Sequence, residues 1–222
     1  MSKSSIAQSV EHYVPRKITV RAEPVLRIQG YENPANVRPV IRNTVDTVVA
    51  VAQRVFRAEV YARHVGIESC GDGALVLETG TAFHSEAFSA FLSDCEQVVV
   101  FVVTVGSELD NVLKNFSKEG QVLEALFLET AGWLGVEAAT KSFTQHLRAQ
   151  AQKRRYRLTR RLGPGYTYKV GARSHEWALS DQKPLFSLFD GVSMSVRLLD
   201  SCAMIPKMSR SGLIGLRPQN NG

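Results

Sequence analysis

Hydrophobic positions change their spacing several times along the chain, and each change marks an element. Ile18, Val20, Val25, Leu26 and Ile28 predict a strand over 17–30, ended by the turn-forming run Gly30-Tyr31-Glu32-Asn33-Pro34. From Asn36 to about His64 the spacing becomes three and four residues: Val37, Val40, Ile41, Val45, Val48, Val51, Ala52, Val55 and Phe56. Arg38, Arg42, Arg54 and Arg57 fill the opposite face. That pattern predicts one amphipathic helix, closed by Gly66 at its C′ position. Cys70 to Thr79 reads as a hairpin around Gly71-Asp72-Gly73, with Ala74 to Leu77 as its second strand.

A short helix is predicted over Ser85 to Leu92. Gln97 to Thr104 is almost continuous Val and Phe, as in a central strand buried on both faces. Gly106 and Ser107 follow as a turn and helix cap. Gly120 to about Arg154 is one long helical pattern, with Val122, Leu123, Leu126, Phe127, Leu134, Ala138, Phe143 and Leu147 as its apolar side. A basic stretch, Lys153 to Arg161, reads as its solvated end. A short helix from Asp181 to Phe189 comes next, then strands near Met194–Leu198, Ser201–Ile205 and Leu213–Leu216. Strands mixed with one or two long helices, without strict βαβ alternation, define an α+β fold. One domain is expected over 17–217, with a flexible arm over 1–16 and a tail over 218–222.

Composition narrows the function classes. With 222 residues, 44% hydrophobic and 22% charged, the chain can bury an ample core, which excludes a disordered protein. The net charge of +6 hints at an anionic partner. Cys70, Cys95 and Cys202 are widely spaced and form no CxxC or Cys/His pattern, so neither a disulfide framework nor a zinc site is expected. Cys95 and Cys202 are read as buried small hydrophobes. The first residues contain no apolar run, so no signal peptide is expected, and Val98–Val103 is far too short to span a bilayer. The expected location is the cytoplasm.

Three segments could carry chemistry. In Arg160-Arg161-Leu162-Gly163-Pro164-Gly165-Tyr166, the glycines permit close backbone approach and Arg161 can clamp a carboxylate, while Tyr166 offers a ring face and a hydroxyl. The same residues would also make an ordinary surface turn. Gly132 and Gly135 sit inside the long helix, each at ~1 kcal/mol against Ala, so something must pack close to the backbone there. Glu137 and Trp133, four residues apart, share a face and suit a small cation or amine; alternatively the glycines only permit tight packing and Glu137 is solvated. The third segment, Ser201 to Gly212, reads as a hairpin presenting Ser209 and Ser211, or as a plain hairpin. The five histidines are scattered and read as surface or packing residues.

Taken in order, these pieces resemble the reactivation domain of cobalamin-dependent methionine synthase, that enzyme's C-terminal S-adenosylmethionine-binding module. The resemblance rests on Val25-Leu26-Arg27-Ile28-Gln29-Gly30-Tyr31, the turn Thr104 to Leu109, and the helix with Gly132 and Glu137. It continues through Arg161…Gly165-Tyr166, Trp177 to Gln182 with Leu185-Phe186, and Met204-Ile205-Pro206…Ser209-Arg210-Ser211-Gly212. It implies a twisted, mainly antiparallel sheet packed against long helices. It also implies S-adenosylmethionine as ligand, with Arg161 on the methionyl carboxylate and the backbone of Gly163 to Gly165 receiving the adenosyl part. Tyr166 would line the site, Glu137 would face the α-amino group or the sulfonium neighbourhood, and Ser209 and Ser211 are candidate contacts. The family's domain runs on past the hairpin with further ligand-contacting aromatics, so part of that wall is expected to be missing here or supplied otherwise.

The activity so implied is reductive remethylation of oxidised cobalamin in methionine biosynthesis, with this chain as a methyltransferase component. The cobalt is the nucleophile, so no catalytic side chain and no metal ligand are expected. The chain lacks the Asp-x-His-x-x-Gly signature of a cobalamin carrier. Cobalamin is therefore expected on a partner, a methionine synthase or corrinoid protein, with a flavodoxin-type electron donor. Two alternatives belong to other classes. One is a docking or scaffold module for a corrinoid protein that does not use S-adenosylmethionine. The other is nucleic-acid binding through Lys153, Arg154, Arg155, Arg157, Arg160 and Arg161; aromatic interleaving is thin there and no RNA- or DNA-binding signature accompanies it.

Overall fold

The computed structural model describes residues 9–33 and 36–219. Residues 1–8 of the expected arm, Pro34 of the first turn and residues 220–222 of the expected tail lie outside the described residues. The arm is a strand over β1 (Glu11–Tyr13), which pairs with Val60–Ala62. The segment read as a strand over 17–30 is instead helical at α1 (Ala22–Ile28). Ala22, Val25 and Leu26 are spaced i, i+3, i+4 and are all buried, so the helical period wins. The turn reading at its end holds. Gly30 has φ +85°, its amide reaches the Arg27 carbonyl and the Tyr31 amide reaches that of Leu26, a Schellman closure.

α2 (Pro39–Val55) starts with Pro at its first position and stops short of the expected His64. Phe56 turns to extended backbone and β2 (Glu59–Gly71) follows almost at once. Gly66 therefore lies within a strand, paired with Gln97, and ends no helix. β3 (Ala74–Leu77) completes the expected hairpin, with Asp72 and Gly73 both at positive φ. β4 (Ala82–His84), α3 (Ala87–Leu92) and β5 (Gln97–Thr104) follow. Ser107 occupies the N-cap of α4 (Glu108–Lys118), although its side chain makes no capping hydrogen bond. α5 (Val122–Lys153) is the expected long helix, but its buried face is Phe127, Ala131, Val136, Ala139, Phe143 and Leu147, while Val122 and Leu126 are exposed.

The basic stretch is not a solvated helix end. After Arg155, with φ 59°, it forms β6 (Tyr156–Leu162). A second hairpin, β7 (Thr167–Val170) and β8 (Arg173–Glu176), leads to a 3-10 turn at Leu179–Asp181 and α6 (Gln182–Ser187). The expected Ser201–Gly212 hairpin is replaced by two separate pairings. β9 (Arg197–Leu198) pairs with β10 (Met204–Ile205), whereas β11 (Ser209–Pro218) enters the main sheet between β5 and β6.

The main sheet runs β4-β3-β2-β5-β11-β6, with β1 beside β2, and every described pair is antiparallel. β5 is its axis. Val99, Phe101 and Val103 face a core shared with α1, α2, α4 and α5, while Val98, Val100 and Val102 face a second core with α3, α6 and Trp177. The chain is thus a single mixed α+β domain with a helical layer on one face of an antiparallel sheet and a smaller mixed layer on the other. All three cysteines are free, and Cys95 and Cys202 are buried, as read. Among the described residues no helix is long and apolar enough to cross a membrane.

Candidate functional site

β11 divides its side chains between the two layers. Alternation sends Arg210 toward α5 and Ser211 toward α6, where the Ser211 hydroxyl meets Gln182 Oε1 at 3.2 Å. On β6, the neighbour of β11, the same alternation sends Arg161 toward α5 and places Arg160 over the rings of Phe91 and Tyr168, 4.9 and 5.3 Å from their centroids. Arg161 and Arg210 therefore converge on Glu137 of α5. Arg210 Nη1 donates to Glu137 Oε2 at 2.5 Å, and Arg161 donates to both carboxylate oxygens at 3.5 and 3.3 Å. The Arg210 side chain is 8% exposed, Arg161 33% and Glu137 42%. Burial pushes the Glu137 carboxyl up, but the hydrogen bond from Arg210 and the charges of Arg161 and Arg210 outweigh it and hold the group below its ordinary value.

α5 can pack closely on α4, the end of α2 and the segment leading into β11 because of its two internal glycines. A Cβ on Gly132 would run into Leu109 of α4 and come within 2.8 Å of Met208 Cγ; one on Gly135 would stand 2.6 Å from the Phe56 ring. Close packing is thus what these glycines serve. Trp133 lies between them on the exposed side of the helix, 49% exposed.

The Gly163–Tyr166 loop is held from behind. The Tyr168 hydroxyl accepts from the Gly163 amide at 2.6 Å and donates to the Gly163 carbonyl at 3.0 Å. The Gly165 amide reaches the Trp177 carbonyl at 2.7 Å, and the Trp177 amide reaches that of Tyr166 at 3.0 Å. Trp177 is fully buried against Phe83 and Phe88 and donates through Nε1 to Asp181. Gly165 has φ +82°, and a Cβ there would stand 3.0 Å from Leu179. Among the described residues, the carbonyls of Pro164 and Gly165 and the amide of Tyr166 find no main-chain partner outside the strand ladders.

Between this loop, α5, the start of α6 and the start of β11 lies a cavity of about 330 Å³. Gly165, Tyr166, Ser209 and Ser211 line it, together with Trp133, Gln182, Lys207 and Arg210. Trp133, Tyr166 and Leu179 form a rim that is 45–49% exposed, an unusual cost for large apolar side chains on a free surface. Arg161 and Gly163 line a smaller adjoining cavity of about 160 Å³ that shares Tyr166, Arg210 and Ser211 with the first. Glu137 lines neither, while its ion-pair partner Arg210 lines both. Ser209 donates to the Pro206 carbonyl at 2.7 Å, just after a cis Ile205–Pro206 peptide.

Every sequence-derived site residue thus falls in one neighbourhood, although Arg161 and Glu137 engage each other. Sequence reasoning missed Gln182, Lys207 and above all Arg210. Its signal was present: in Met208-Ser209-Arg210-Ser211-Gly212-Leu213, strand alternation puts Arg210 on the same face as Ile214, hence toward the core.

What these features define is a mixed α+β domain whose antiparallel sheet presents an aromatic-rimmed, arginine-backed cavity. No protein-family model matches the sequence, and a comparison with curated proteins gives no match. Among solved structures, the fold is similar to the crystal structure of the MetH reactivation domain bound to AdoHcy, with a TM-score of 0.61, over 97% of this chain and 80% of that one. The sequence identity is 13%, so the likeness is one of fold.

Proposed function

We propose that the chain binds S-adenosylmethionine, or its product S-adenosylhomocysteine, in the cavity between α5, the Gly163–Tyr166 loop and the start of β11. In this reading it serves, in the cytoplasm, as a reactivation module for a separate cobalamin-carrying methionine synthase or corrinoid methyltransferase. The observation that carries the reading is the cavity itself, in a fold shared with a domain seen bound to AdoHcy. Its volume of about 330 Å³ falls in the ordinary range for small-molecule sites. Tyr166 and Trp133 offer ring faces to a purine. Arg161 and Arg210 match a carboxylate and Glu137 matches an ammonium, so a zwitterionic methionyl end would pair with the existing cluster without changing its net charge.

The chemistry asks little of the protein's side chains. The partner's cobalamin, once reduced by an electron from a flavodoxin-type donor, would supply the nucleophile for the sulfonium methyl group, and S-adenosylhomocysteine would remain on this chain. The contribution of this chain is to hold the sulfonium in line with its acceptor.

The mutual engagement of Arg161 and Glu137 favours a second reading, in which the pair is structural and the chain is a docking module for a corrinoid protein without S-adenosylmethionine. A thermal-shift and calorimetric titration separates the two. The first reading expects saturable stabilisation by S-adenosylmethionine or S-adenosylhomocysteine, and about ten- to hundred-fold weaker binding in Arg161→Ala, the scale of a hydrogen bond to a charged group. No stabilisation at millimolar ligand would sink it.

A further inference from the structure

A separate cavity, of about 250 Å³, lies near the C-terminal end of α5, roughly 20–30 Å along the helix from Trp133. His64 of β2 and Gln97 of β5 line it from the sheet, Gln150 and Arg154 from the end of α5, and Leu147 and Leu216 give it an apolar floor. His64 Nδ1 is buried and has no hydrogen-bond partner among the described residues. Such an atom in a cavity wall calls for a partner that the chain itself does not supply. The Gln97 amide and the Arg154 guanidinium also make no side-chain hydrogen bond or ion pair among the described residues, whereas Gln150 is engaged with Glu11 and His146.

The unengaged groups share one chemistry. Arg154 carries a fork of N–H donors, Gln97 can turn its NH₂ inward, and the His64 ring can place a proton on Nδ1. Among the described residues no acid lines the cavity. The nearby carboxylates are committed elsewhere, Glu11 to His146 at 2.8 Å and Glu96 to the Tyr156 hydroxyl at 2.6 Å. Two carbonyls at the end of α5, those of Ala151 and Gln152, are taken up by the Arg154 and Arg155 amides, which blunts their repulsion of an anion. Arg155 and Arg157 stand just beyond in sequence and raise the local concentration of anions.

We propose that this cavity is a second ligand site, for the oxyanion group of a small molecule, a carboxylate or a phosphate, held by Arg154, Gln97 and His64. It is separate from the cavity at the Gly163–Tyr166 loop, and its ligand has at most a short apolar portion, set against Leu147 and Leu216. The test follows the His64 ring protons by NMR while the full chain is titrated, at constant ionic strength, with inorganic phosphate, acetate or butyrate. The expected result is a saturable shift with at least one probe, weakened ten-fold or more in Arg154→Gln and less in Arg154→Lys, and unchanged in Arg173→Gln on the exposed β7–β8 hairpin. A response to phosphate alone assigns a phosphoryl ligand; butyrate binding more tightly than acetate assigns a carboxylate with an apolar tail. A shift that chloride reproduces, one equally strong in Arg154→Gln, or no saturable shift with any probe overturns the proposal.

Discussion

Replacing Glu137 with alanine removes the single acceptor shared by two guanidinium groups. Arg210, 8% exposed, would keep its charge in a dry environment with no counterion, while Arg161, 33% exposed, could turn to water. Breaking a fully buried pair costs about 3–5 kcal/mol and losing a hydrogen bond to a charged group about 1.5–3. Because Glu137 is itself 42% exposed, water screens part of the interaction, and the lower range applies, about 2 kcal/mol. For a chain of this size that loss lowers the melting temperature by about 4–8 °C. The pH dependence has a fixed sign. The Glu137 carboxyl lies below its ordinary value in the folded protein, so its contribution is fully present above the unfolded carboxyl range near ~4.3 and fades as pH falls through the folded value. Urea unfolding of wild type and Glu137→Ala should therefore show a gap of about 2 kcal/mol at neutral pH that closes in acid. Adding Arg210→Met to the variant should recover much of the loss, since the stranded charge is then gone. A gap under ~0.5 kcal/mol at pH 7, or one unchanged down to pH 3, would refute the reasoning.

Three further outcomes are expected. Gly132→Ala should destabilise by about 1–3 kcal/mol despite the better helix propensity of alanine, because its methyl would press on Leu109 and Met208; equal or higher stability by urea unfolding would show that the contact yields freely. Tyr168→Phe removes a hydroxyl that satisfies both main-chain groups of Gly163, so about 1–3 kcal/mol should be lost and amide exchange at Gly163 should speed up; unchanged exchange there contradicts the tether. Burial and the neighbouring Asp94 push the Cys95 thiol up to about 11, so it should react with iodoacetamide at pH 8 far more slowly than a free thiol; mapping by mass spectrometry that finds Cys95 alkylated as fast as a free thiol would count against that burial.

The parts of the fold legible in the sequence were those where one local signal met no competitor. β5 announced itself by length and unbroken apolarity, the β2–β3 turn by Gly71-Asp72-Gly73, and α5 by a period held over many turns. The misreadings arose where two periods fit. Val25, Leu26 and Ile28 alternate loosely, but Ala22 adds the third contact that makes a helical face, and that face finds α2 and α5. Phe56, Ala58, Val60 and Ala62 continue the apolar pattern of α2 while switching to a period of two, with no Gly or Pro to mark the change. The site followed the same logic. The glycine loop, Tyr166 and the two serines were visible as local chemistry. The clustering of Arg161 with Arg210 was not, because it depends on β11 inserting between β5 and β6, a long-range pairing that no short stretch encodes.

One feature bears on how copies of this protein coexist at high concentration. β6 is the last strand of the sheet, and among the described residues nothing pairs with its outer edge. Arg157, Arg160 and Arg161 lie along that strand, with Lys153, Arg154 and Arg155 leading into it. Two such edges brought side by side would stack like charges at close spacing, which disfavours the register that edge-to-edge aggregation requires. Much of the excess positive charge thus serves as a guard on an unfinished sheet, and neutralising Arg157 and Arg160 together should lower the concentration at which the chain self-associates.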